Sequence, residues 1–243
     1  MPDSMIRALV SGGASPIGSA VCRALARDGQ HVVVHASADP ARAAAVAEAI
    51  RDAGGVAEAV TFDLTDAAAT AAALAALLET GPVQTVVHNA GTHDDVPMAA
   101  MTAAQWGGVV DVSLNGFYRL VQPLLLPMMA TRRGRIVALS SVSALMGNRG
   151  QVNYAAAKAG LIGAVRALSL ECAPRGVTVN AVAPGIIESP ATAAVLTKEQ
   201  VRAMVPARRA GTPEEVAELV AFLCSDRAAY VTGQTISING GMA

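Results

Sequence analysis

Short runs of β-branched residues alternate with longer alanine- and leucine-rich segments along most of the chain. Strands joined through helical segments of roughly 10 to 30 residues need crossover connections, and they therefore form a parallel sheet. The pattern predicts an α/β fold with a single-domain, Rossmann-type, doubly wound parallel sheet of about seven strands flanked by helices. The predicted strands are Arg7 to Val10, His31 to His35, Val56 to Phe62, Val83 to His88, Arg135 to Ser140, Val177 to Ala183 and Thr235 to Ile238.

Helical segments lie between these strands, and no linker or repeat divides residues 1–243. The predicted helices are Ser19 to Arg27, Pro40 to Ala53, Asp66 to Glu79, Thr102 to Thr131 and Gln151 to Ala173. The segment from Ser189 to Gly211 differs from them, because it has mixed polarity and three arginines and is bounded by prolines. Ligands of open α/β sheets bind beyond the carboxyl ends of the strands, so we expect residues 189–211 to form a mobile substrate lid.

Composition narrows the range of partners. The chain is 53% hydrophobic and 15% charged with a net charge of -1, and no long apolar run is free of charge or proline. We therefore expect neither a membrane span nor nucleic acid as a partner. The N-terminus shows no signal peptide, so we expect a cytoplasmic protein. The cysteines and histidines do not have the spacing of metal ligands, so we predict no metal site. They are Cys22, Cys172, Cys224, His31, His35, His88 and His93.

A glycine-rich segment, Ser11 to Gly18, joins the first strand to the first helix. Such a turn offers backbone N–H groups and the positive end of a helix dipole to a phosphate. Its position after the first strand favours dinucleotide binding over a plain tight turn. Pro16 stands where the middle glycine of the motif is expected, and it removes one N–H group while adding bulk.

Tyr154 and Lys158 stand four residues apart on a predicted helix, which places them on one face. A nearby ammonium favours the phenolate and lowers the pKa of the phenol. The pair therefore predicts proton-transfer chemistry, and the alternative is a surface helical pair without a role.

The ordered motifs resemble the signature of the short-chain dehydrogenase/reductase family over essentially the whole chain. They are the loop Ser11 to Gly18, Asn89 to Gly91, Asn115, Ser141, Tyr154, Lys158 and Pro184 to Gly185, with Ser141 thirteen residues before Tyr154. Three further segments resemble the 3-oxoacyl-[acyl-carrier-protein] reductases: Met146 to Gly163, Tyr230 to Gln234 and Asn239 to Met242.

The resemblance implies catalytic roles for four residues. Tyr154 is expected to donate a proton to the substrate oxygen, Ser141 to hold that oxygen, and Lys158 to assist Tyr154 and bind the nicotinamide ribose. Asn115 is expected to hold a water that links Lys158 to solvent; alternatively, it caps or kinks its helix. Ser141 or its neighbour Ser140 alternatively satisfies backbone groups at the strand end.

The resemblance also implies a set of cofactor contacts and favours NADPH over NADH. An acid at the end of the second strand selects NADH, and Ala36 occupies that position here. The neighbouring His35 and Ser37 can donate hydrogen bonds to a 2′-phosphate, although Ser15 stands where many NADP-dependent relatives carry an arginine. Asp63 is expected to accept from the adenine amino group or, alternatively, to cap the next helix. The implied cofactor-binding residues are Gly12, Ser15, Ile17, Gly18, His35, Ser37, Asp63, Leu64, Asn89, Ala90, Gly91, Tyr154, Lys158, Pro184, Gly185, Ile187 and Ser189.

The implied function is NADPH-dependent reduction of a 3-oxoacyl thioester to the 3-hydroxyacyl thioester, in fatty-acid or polyketide or polyene synthesis. Arg132 and Arg175 match positions that relatives use to contact acyl carrier protein; alternatively, they are solvated surface residues. The resemblance further implies a homotetramer. Two alternatives are a dehydrogenase of a small alcohol, sugar or ketone, and a non-catalytic NADP(H)-binding paralogue.

Overall fold

The computed structural model describes residues 5–243, and their strands form one parallel sheet. The strands are β1 (Arg7–Ser11), β2 (His31–Ala36), β3 (Val56–Thr61), β4 (Thr85–His88), β5 (Gly134–Leu139), β6 (Val177–Pro184) and β7 (Thr235–Ile238). They lie in the order β3-β2-β1-β4-β5-β6-β7, and every neighbouring pair is parallel. The predicted fold class is confirmed, and each predicted strand boundary lies within two residues of the observed one.

Helices cover both faces of the sheet. They are α1 (Pro16–Arg27), α2 (Pro40–Asp52), α3 (Ala67–Glu79), α4 (Ala103–Val110), α5 (Gly116–Ala130), α6 (Ser143–Met146), α7 (Val152–Cys172), α8 (Pro190–Val195), α9 (Lys198–Met204) and α10 (Pro213–Cys224). Short 3₁₀ turns occupy Met98–Ala100, Ala173–Arg175 and Asp226–Ala228. Capping side chains begin many of the helices, as in α1, where Ser15 accepts from Gly18 N and Pro16 takes the first helical position.

Two hydrophobic clusters hold the layers together. Helices α1, α2 and α10 pack on one face of the sheet, while α3, α5 and α7 pack on the other. Strands β1, β4, β5 and β6 are buried along their whole length, as expected for parallel strands covered on both sides. The strand order reverses between β1 and β4, so a crevice opens at the carboxyl ends of these strands.

The single helix predicted from Thr102 to Thr131 is interrupted. A π-helical turn at Asp111–Asn115 separates α4 from α5. Pro123 and Pro127 lie within α5 and not in this turn. Such π turns inside helices are frequent at functional sites, because they re-aim the side chains of one turn.

The segment predicted as a lid contains the two short helices α8 and α9. Its base is closed by backbone hydrogen bonds from Glu188 N to Gly211 O (2.8 Å) and from Gly211 N to Ile186 O (3.0 Å). Within residues 5–243, no helix is long and apolar enough to cross a membrane. The same described residues contain no cluster of three metal-ligating side chains.

Candidate active site

A cleft of about 340 Å³ opens at the carboxyl ends of β1, β4, β5 and β6. Many of the residues predicted from the sequence line this cleft together: Ser15, Ile17, Asn89, Ser141, Tyr154, Lys158, Pro184, Gly185, Ile187 and Ser189. His93, which sequence reasoning considered only as a metal ligand, also lines it. The His93 and Tyr154 rings meet edge to face, with centroids 6.4 Å apart.

The structure brings Ser141, Tyr154 and Lys158 into one group. Ser141 follows the end of β5, and Tyr154 and Lys158 lie one turn apart on α7. Lys158 is 3% exposed, and its Nζ donates to Leu139 O at 2.7 Å. The same Nζ lies 5.7 Å from the centroid of the Tyr154 ring.

Burial shifts the pKa values of both titrating groups. It lowers the pKa of Lys158 to about 8, because a charged ammonium is disfavoured away from water. Burial also raises the pKa of Tyr154; the Ser141 side chain opposes this shift by hydrogen bonding, and the charge of Asp95 adds to it. The expected lowering of the Tyr154 pKa by Lys158 is therefore not found. Tyr154 is a protonated phenol at neutral pH, which suits a proton donor.

Asn115 does not lie in the cleft. Its side chain is exposed and donates to Asp111 Oδ1 at 2.8 Å within the π turn. Asp111 also accepts from Arg119 Nη2 at 2.8 Å, so this trio stabilises the turn from the outside. The prediction that Asn115 serves the catalytic lysine does not fit this geometry, because the π turn aims its side chain away.

Ser113 takes the inward position that was expected for Asn115. It is fully buried, and its Oγ has no hydrogen-bond partner among the described residues. A methyl group placed on Gly91 would lie 3.4 Å from Ser113 Oγ and 3.0 Å from Lys158 Nζ. Ser113 Oγ and Lys158 Nζ therefore both lie close to Gly91.

His88 connects Ser113 to the glycine-rich loop. Ser11 Oγ accepts from Asn89 N and Ala90 N, both at 3.1 Å, so its own hydrogen points to His88 Nδ1 at 3.2 Å. The other ring nitrogen, Nε2, then carries the proton and donates to Ser113 O at 2.8 Å. Burial, reinforced by the charge of Lys158, lowers the pKa of His88 to about 3. His88 is therefore a neutral structural link between Ser11 and Ser113.

The glycine-rich loop has the shape of a phosphate cradle. A side chain on Gly18 would collide with the Gly12 carbonyl oxygen, and Gly12 itself has a φ of 62°, which favours glycine. Asn89 Nδ2 donates to Gly12 O at 2.8 Å and to Ser15 Oγ at 3.0 Å. Pro16 occupies the first helical position and leaves the remaining N–H groups in place. The loop therefore fits a dinucleotide phosphate.

His35 and Ser37, both expected to contact the adenosine 2′-phosphate, differ in their environment. His35 is 1% exposed; its Nδ1 accepts from Gly12 N at 3.2 Å, and its Nε2 donates to Phe62 O at 2.8 Å. Burial lowers its pKa, so its ring is neutral and has no hydrogen left for a phosphate, contrary to the prediction. Ser37 is exposed and available.

Asp63 and Leu64 follow β3. Asp63 is exposed, and its Oδ1 accepts from Thr65 N at 2.8 Å in a local turn. Its alternative role as a helix cap belongs instead to Asp66, which caps α3. Leu64 is buried, and its carbonyl accepts from Arg119 Nη1 at 2.9 Å.

Arg42 was not identified from the sequence. From the first turn of α2 it reaches across to the glycine-rich loop, where its Nη2 donates to Ala14 O at 3.1 Å. It is exposed and forms no ion pair within the part of the chain that the structure describes. The available signal was a basic residue in the helix turn that follows β2, beside the Ser15 position.

Arg132 and Arg175 lie at the amino ends of the strands, opposite the end at which the cleft opens. Arg132 precedes β5 and Arg175 precedes β6, whereas Ser141 follows the carboxyl end of β5. The length of a six-residue strand, about 20 Å, separates them from the cleft of their own chain. The structure does not bring them together with Ser141, Tyr154 and Lys158.

Comparisons with known proteins agree with this architecture. The family model described as Enoyl-(Acyl carrier protein) reductase matches residues 12–243. The chain is 44% identical over 236 residues to the 3-oxoacyl-[acyl-carrier-protein] reductase FabG of Aggregatibacter actinomycetemcomitans, with 96% of this chain and 98% of that protein covered. It is 41% identical over 239 residues to the FabG of Escherichia coli strain K12, with 97% and 96% covered.

A solved structure from Agrobacterium tumefaciens, assigned as a gluconate dehydrogenase, superposes with a TM-score of 0.94. It is 31% identical in sequence, and the match covers 98% of this chain and 95% of the other.

Proposed function

The chain belongs to the short-chain dehydrogenase/reductase family, and we propose that it reduces a 3-oxoacyl thioester on acyl carrier protein to the 3-hydroxyacyl thioester with NADPH. As a member of this family it is an oxidoreductase of C=O and CH–OH groups. The observation that carries the proposal is the cleft that unites Ser141, Tyr154 and Lys158 in a chain over 40% identical to two reductases of this name. Such a reductase serves fatty-acid synthesis or a related polyketide or polyene pathway.

The chain's own groups supply binding and proton transfer. When bound, the nicotinamide supplies the hydride that adds to the carbonyl carbon. Ser141 holds the carbonyl oxygen, and Tyr154 donates its phenolic proton to that oxygen as negative charge develops there. Burial keeps Tyr154 protonated until this moment. The ammonium of Lys158 then stabilises the phenolate that remains.

Ser113, rather than Asn115, is the residue that we assign to the proton path behind Lys158. Its unpartnered hydroxyl and Lys158 Nζ both lie close to Gly91. A water held there would receive hydrogen bonds from both groups, and the proton lost by Tyr154 could be replaced through Lys158.

NADPH is the proposed cofactor because Arg42 brings positive charge to the adenosine end and no acid stands at the end of β2. Ala36 ends β2 where an acid would repel a 2′-phosphate. Ser37 is exposed beside it, and the Arg42 guanidinium lies against the loop residue next to Ser15. Arg42 therefore replaces, from α2, the loop arginine that this chain lacks.

We extend the proposal to partners and location. Arg132 and Arg175 are exposed and adjoin the amino ends of neighbouring strands, so a carrier docked there would deliver its substrate across a strand length or to another subunit. A homotetramer is supported by exposed apolar residues on α5 and α7. Three buried free cysteines are compatible with a reducing, cytoplasmic location.

One assay separates the candidate reactions. Purified protein is given NADPH or NADH with an acetoacetyl thioester, a crotonyl thioester or the keto acid of gluconate, and NADP⁺ or NAD⁺ with gluconate itself, and cofactor absorbance is followed. The proposal predicts turnover of the acetoacetyl thioester with NADPH. Faster turnover of the crotonyl thioester would support an enoyl reductase instead, and turnover of the sugar acid alone would support a small-molecule dehydrogenase.

The same assay tests the role of Tyr154. Tyr154→Phe removes the proton donor and should lower kcat by about 10² to 10⁴-fold while NADPH still binds. Tyr230→Phe is a matched control, because Tyr230 is fully exposed and lies outside the cleft lining. NADPH binding without turnover of any substrate by the unaltered protein would favour the non-catalytic paralogue.

A further inference from the structure

A second cavity, of about 620 Å³, lies within the lid. Residues from α8, α9 and the segment that follows them form its wall: Glu188, Ser189, Pro190, Thr192, Ala193, Leu196, Lys198, Val201, Arg202, Arg208, Arg209 and Ala210. It shares Glu188, Ser189 and Thr192 with the catalytic cleft. The lid cavity and the catalytic cleft therefore lie side by side.

The wall of this lid cavity carries an excess of positive charge. Four cationic side chains line it, against the single carboxylate of Glu188. Arg209 is neutralised by Glu215, which accepts from both of its terminal nitrogens. The other three cations, Lys198, Arg202 and Arg208, form no ion pair among residues 5–243.

The backbone at Arg208 points to a role for its side chain. Its φ is 59°, in the left-handed region that favours glycine. The conformation is held by a hydrogen bond from Arg208 N to Val205 O at 2.7 Å. A glycine would meet this backbone requirement with less strain, and the arginine that stands here lines the lid cavity.

We propose that the lid cavity binds the phosphate of the 4′-phosphopantetheine arm that carries the acyl thioester. This inference rests on the proposed function, because it requires the acyl end of the arm to reach the catalytic cleft. The arm consists of a long neutral segment that ends in a phosphate. The cavity wall likewise contains both the apolar side chains of Leu196 and Val201 and the unpaired cations. Charge-assisted hydrogen bonds from arginine suit a phosphate in both geometry and strength.

Acyl carrier protein and coenzyme A both carry this arm, so substrates that differ only in the phosphate provide the test. The kcat/KM of the unaltered protein for acetoacetyl-4′-phosphopantetheine should exceed that for acetoacetyl-pantetheine by about tenfold, the effect of one charge-assisted contact. The double variant Arg202→Gln/Arg208→Gln should abolish this preference and leave kcat/KM for acetoacetyl-pantetheine within about twofold. Because both arginines are exposed, the variant should fold normally, which circular dichroism checks.

The control variant is Arg166→Gln, which removes an exposed arginine of α7 outside the cavity and should keep the preference. Equal kcat/KM for the two substrates in the unaltered protein would overturn the proposal. So would a KM that rises in the double variant for acetoacetyl-coenzyme A but not for acetoacetyl-carrier protein, because that result assigns the cations to the nucleotide phosphates.

Calorimetry keeps this test separate from the proposed function. Acetoacetyl-N-acetylcysteamine lacks the phosphate, so failure to turn it over contradicts the proposed reaction and not the phosphate site. In that case binding of 4′-phosphopantetheine and of pantetheine to the NADP⁺-loaded protein is compared directly. Tighter binding of the phosphorylated arm, lost in the double variant, supports the site; equal binding overturns it.

Discussion

At the scale of single residues, His88 is a titratable group that folding removes from water. It is fully buried with its Nδ1 and Nε2 both engaged, and its pKa is lowered to about 3. An unfolded histidine titrates near ~6.5. Between these two values the unfolded chain binds a proton that the folded chain does not, so stability falls as the pH falls through this window.

We predict that His88→Asn makes the protein more tolerant of acid. An asparagine offers one acceptor for Ser11 Oγ and one donor for Ser113 O, as the neutral histidine does, but it does not titrate. On lowering the pH from 7 to 5, the unaltered chain should lose about 2 kcal/mol of stability that the variant keeps. Urea unfolding at both pH values measures this, with the exposed His93→Asn as control. Equal acid sensitivity of His88→Asn and the unaltered chain would contradict the burial argument.

Arg42 decides cofactor preference in our interpretation. Arg42→Gln should weaken NADPH binding by about tenfold or more, because a charge-assisted contact with the 2′-phosphate is lost, and should leave NADH binding unchanged. Fluorescence titration of both cofactors measures the two dissociation constants. Arg51→Gln, at the far end of the same helix, is the control. An equal loss of NADH affinity would show that Arg42 does not contact the 2′-phosphate and only stabilises the glycine-rich loop through its hydrogen bond to Ala14 O.

The grouping of Tyr154, Lys158 and Ser141 in one cleft was predictable from the sequence, because short fixed spacings place them at known points of a helix and a strand end. His35 was not, because its role depends on Gly12 N and Phe62 O, which come from distant parts of the chain. Arg42 was missed for the same reason: its contact with Ala14 O crosses from α2 to the loop before α1.

At the scale of elements, the π turn at Asp111–Asn115 explains why the Asn115 side chain lies outside the cleft, where the sequence did not predict it. Hydrophobic periodicity predicted a continuous helix, and the turn inside it changes which side chain faces the cleft. Asp111 anchors Asn115 outside, and Ser113 points inward. The 3.6-residue periodicity of hydrophobic positions cannot reveal such a turn, because the turn alters the spacing of only a few residues.

The π turn yields a prediction in which activity and stability separate. Ser113→Ala removes a buried hydroxyl that has no partner, so stability should be unchanged or slightly higher. If Ser113 orients the water behind Lys158, kcat should fall by about tenfold or more, whereas Asn115→Ala should leave it nearly unchanged. Steady-state kinetics and thermal unfolding of both variants provide the comparison. A larger kcat loss in Asn115→Ala would restore the residue expected from the sequence.

The glycine-rich loop allows a matched pair of glycine substitutions. Gly18→Ala would force its methyl group into the Gly12 carbonyl oxygen and distort the phosphate cradle, so NADPH affinity should fall by more than tenfold. Gly107→Ala, in α4, has open space around it and should raise stability by about 0.5–1 kcal/mol. Calorimetric titration and thermal unfolding measure the two effects. Unchanged NADPH affinity in Gly18→Ala would place the cofactor phosphates elsewhere.

At the scale of the whole molecule, apolar side chains stay exposed on the layer formed by α5 and α7. Leu126 on α5 is 76% exposed and Leu170 on α7 is 79% exposed. Tyr118 and Val152, on the same two helices, are 65% and 42% exposed. Large exposed apolar side chains grouped on neighbouring elements mark protein contacts, and each helix buries its other side in the core.

We therefore predict that Leu126→Glu and Leu170→Glu each break the proposed tetramer into smaller species, because a desolvated carboxylate without a partner is costly in a subunit contact. Sedimentation velocity should show a tetramer for the unaltered chain and dimers or monomers for the variants. Ala45→Glu, an exposed position of α2 on the opposite layer, should remain tetrameric. A tetramer in both leucine variants would move the contacts to other surfaces. The same two leucine variants also test carrier docking. Arg132 and Arg175 lie a strand length from the cleft of their own subunit. If the variants lose turnover only with carrier-bound substrate, the carrier docks on one subunit and its acyl group is reduced in the cleft of another.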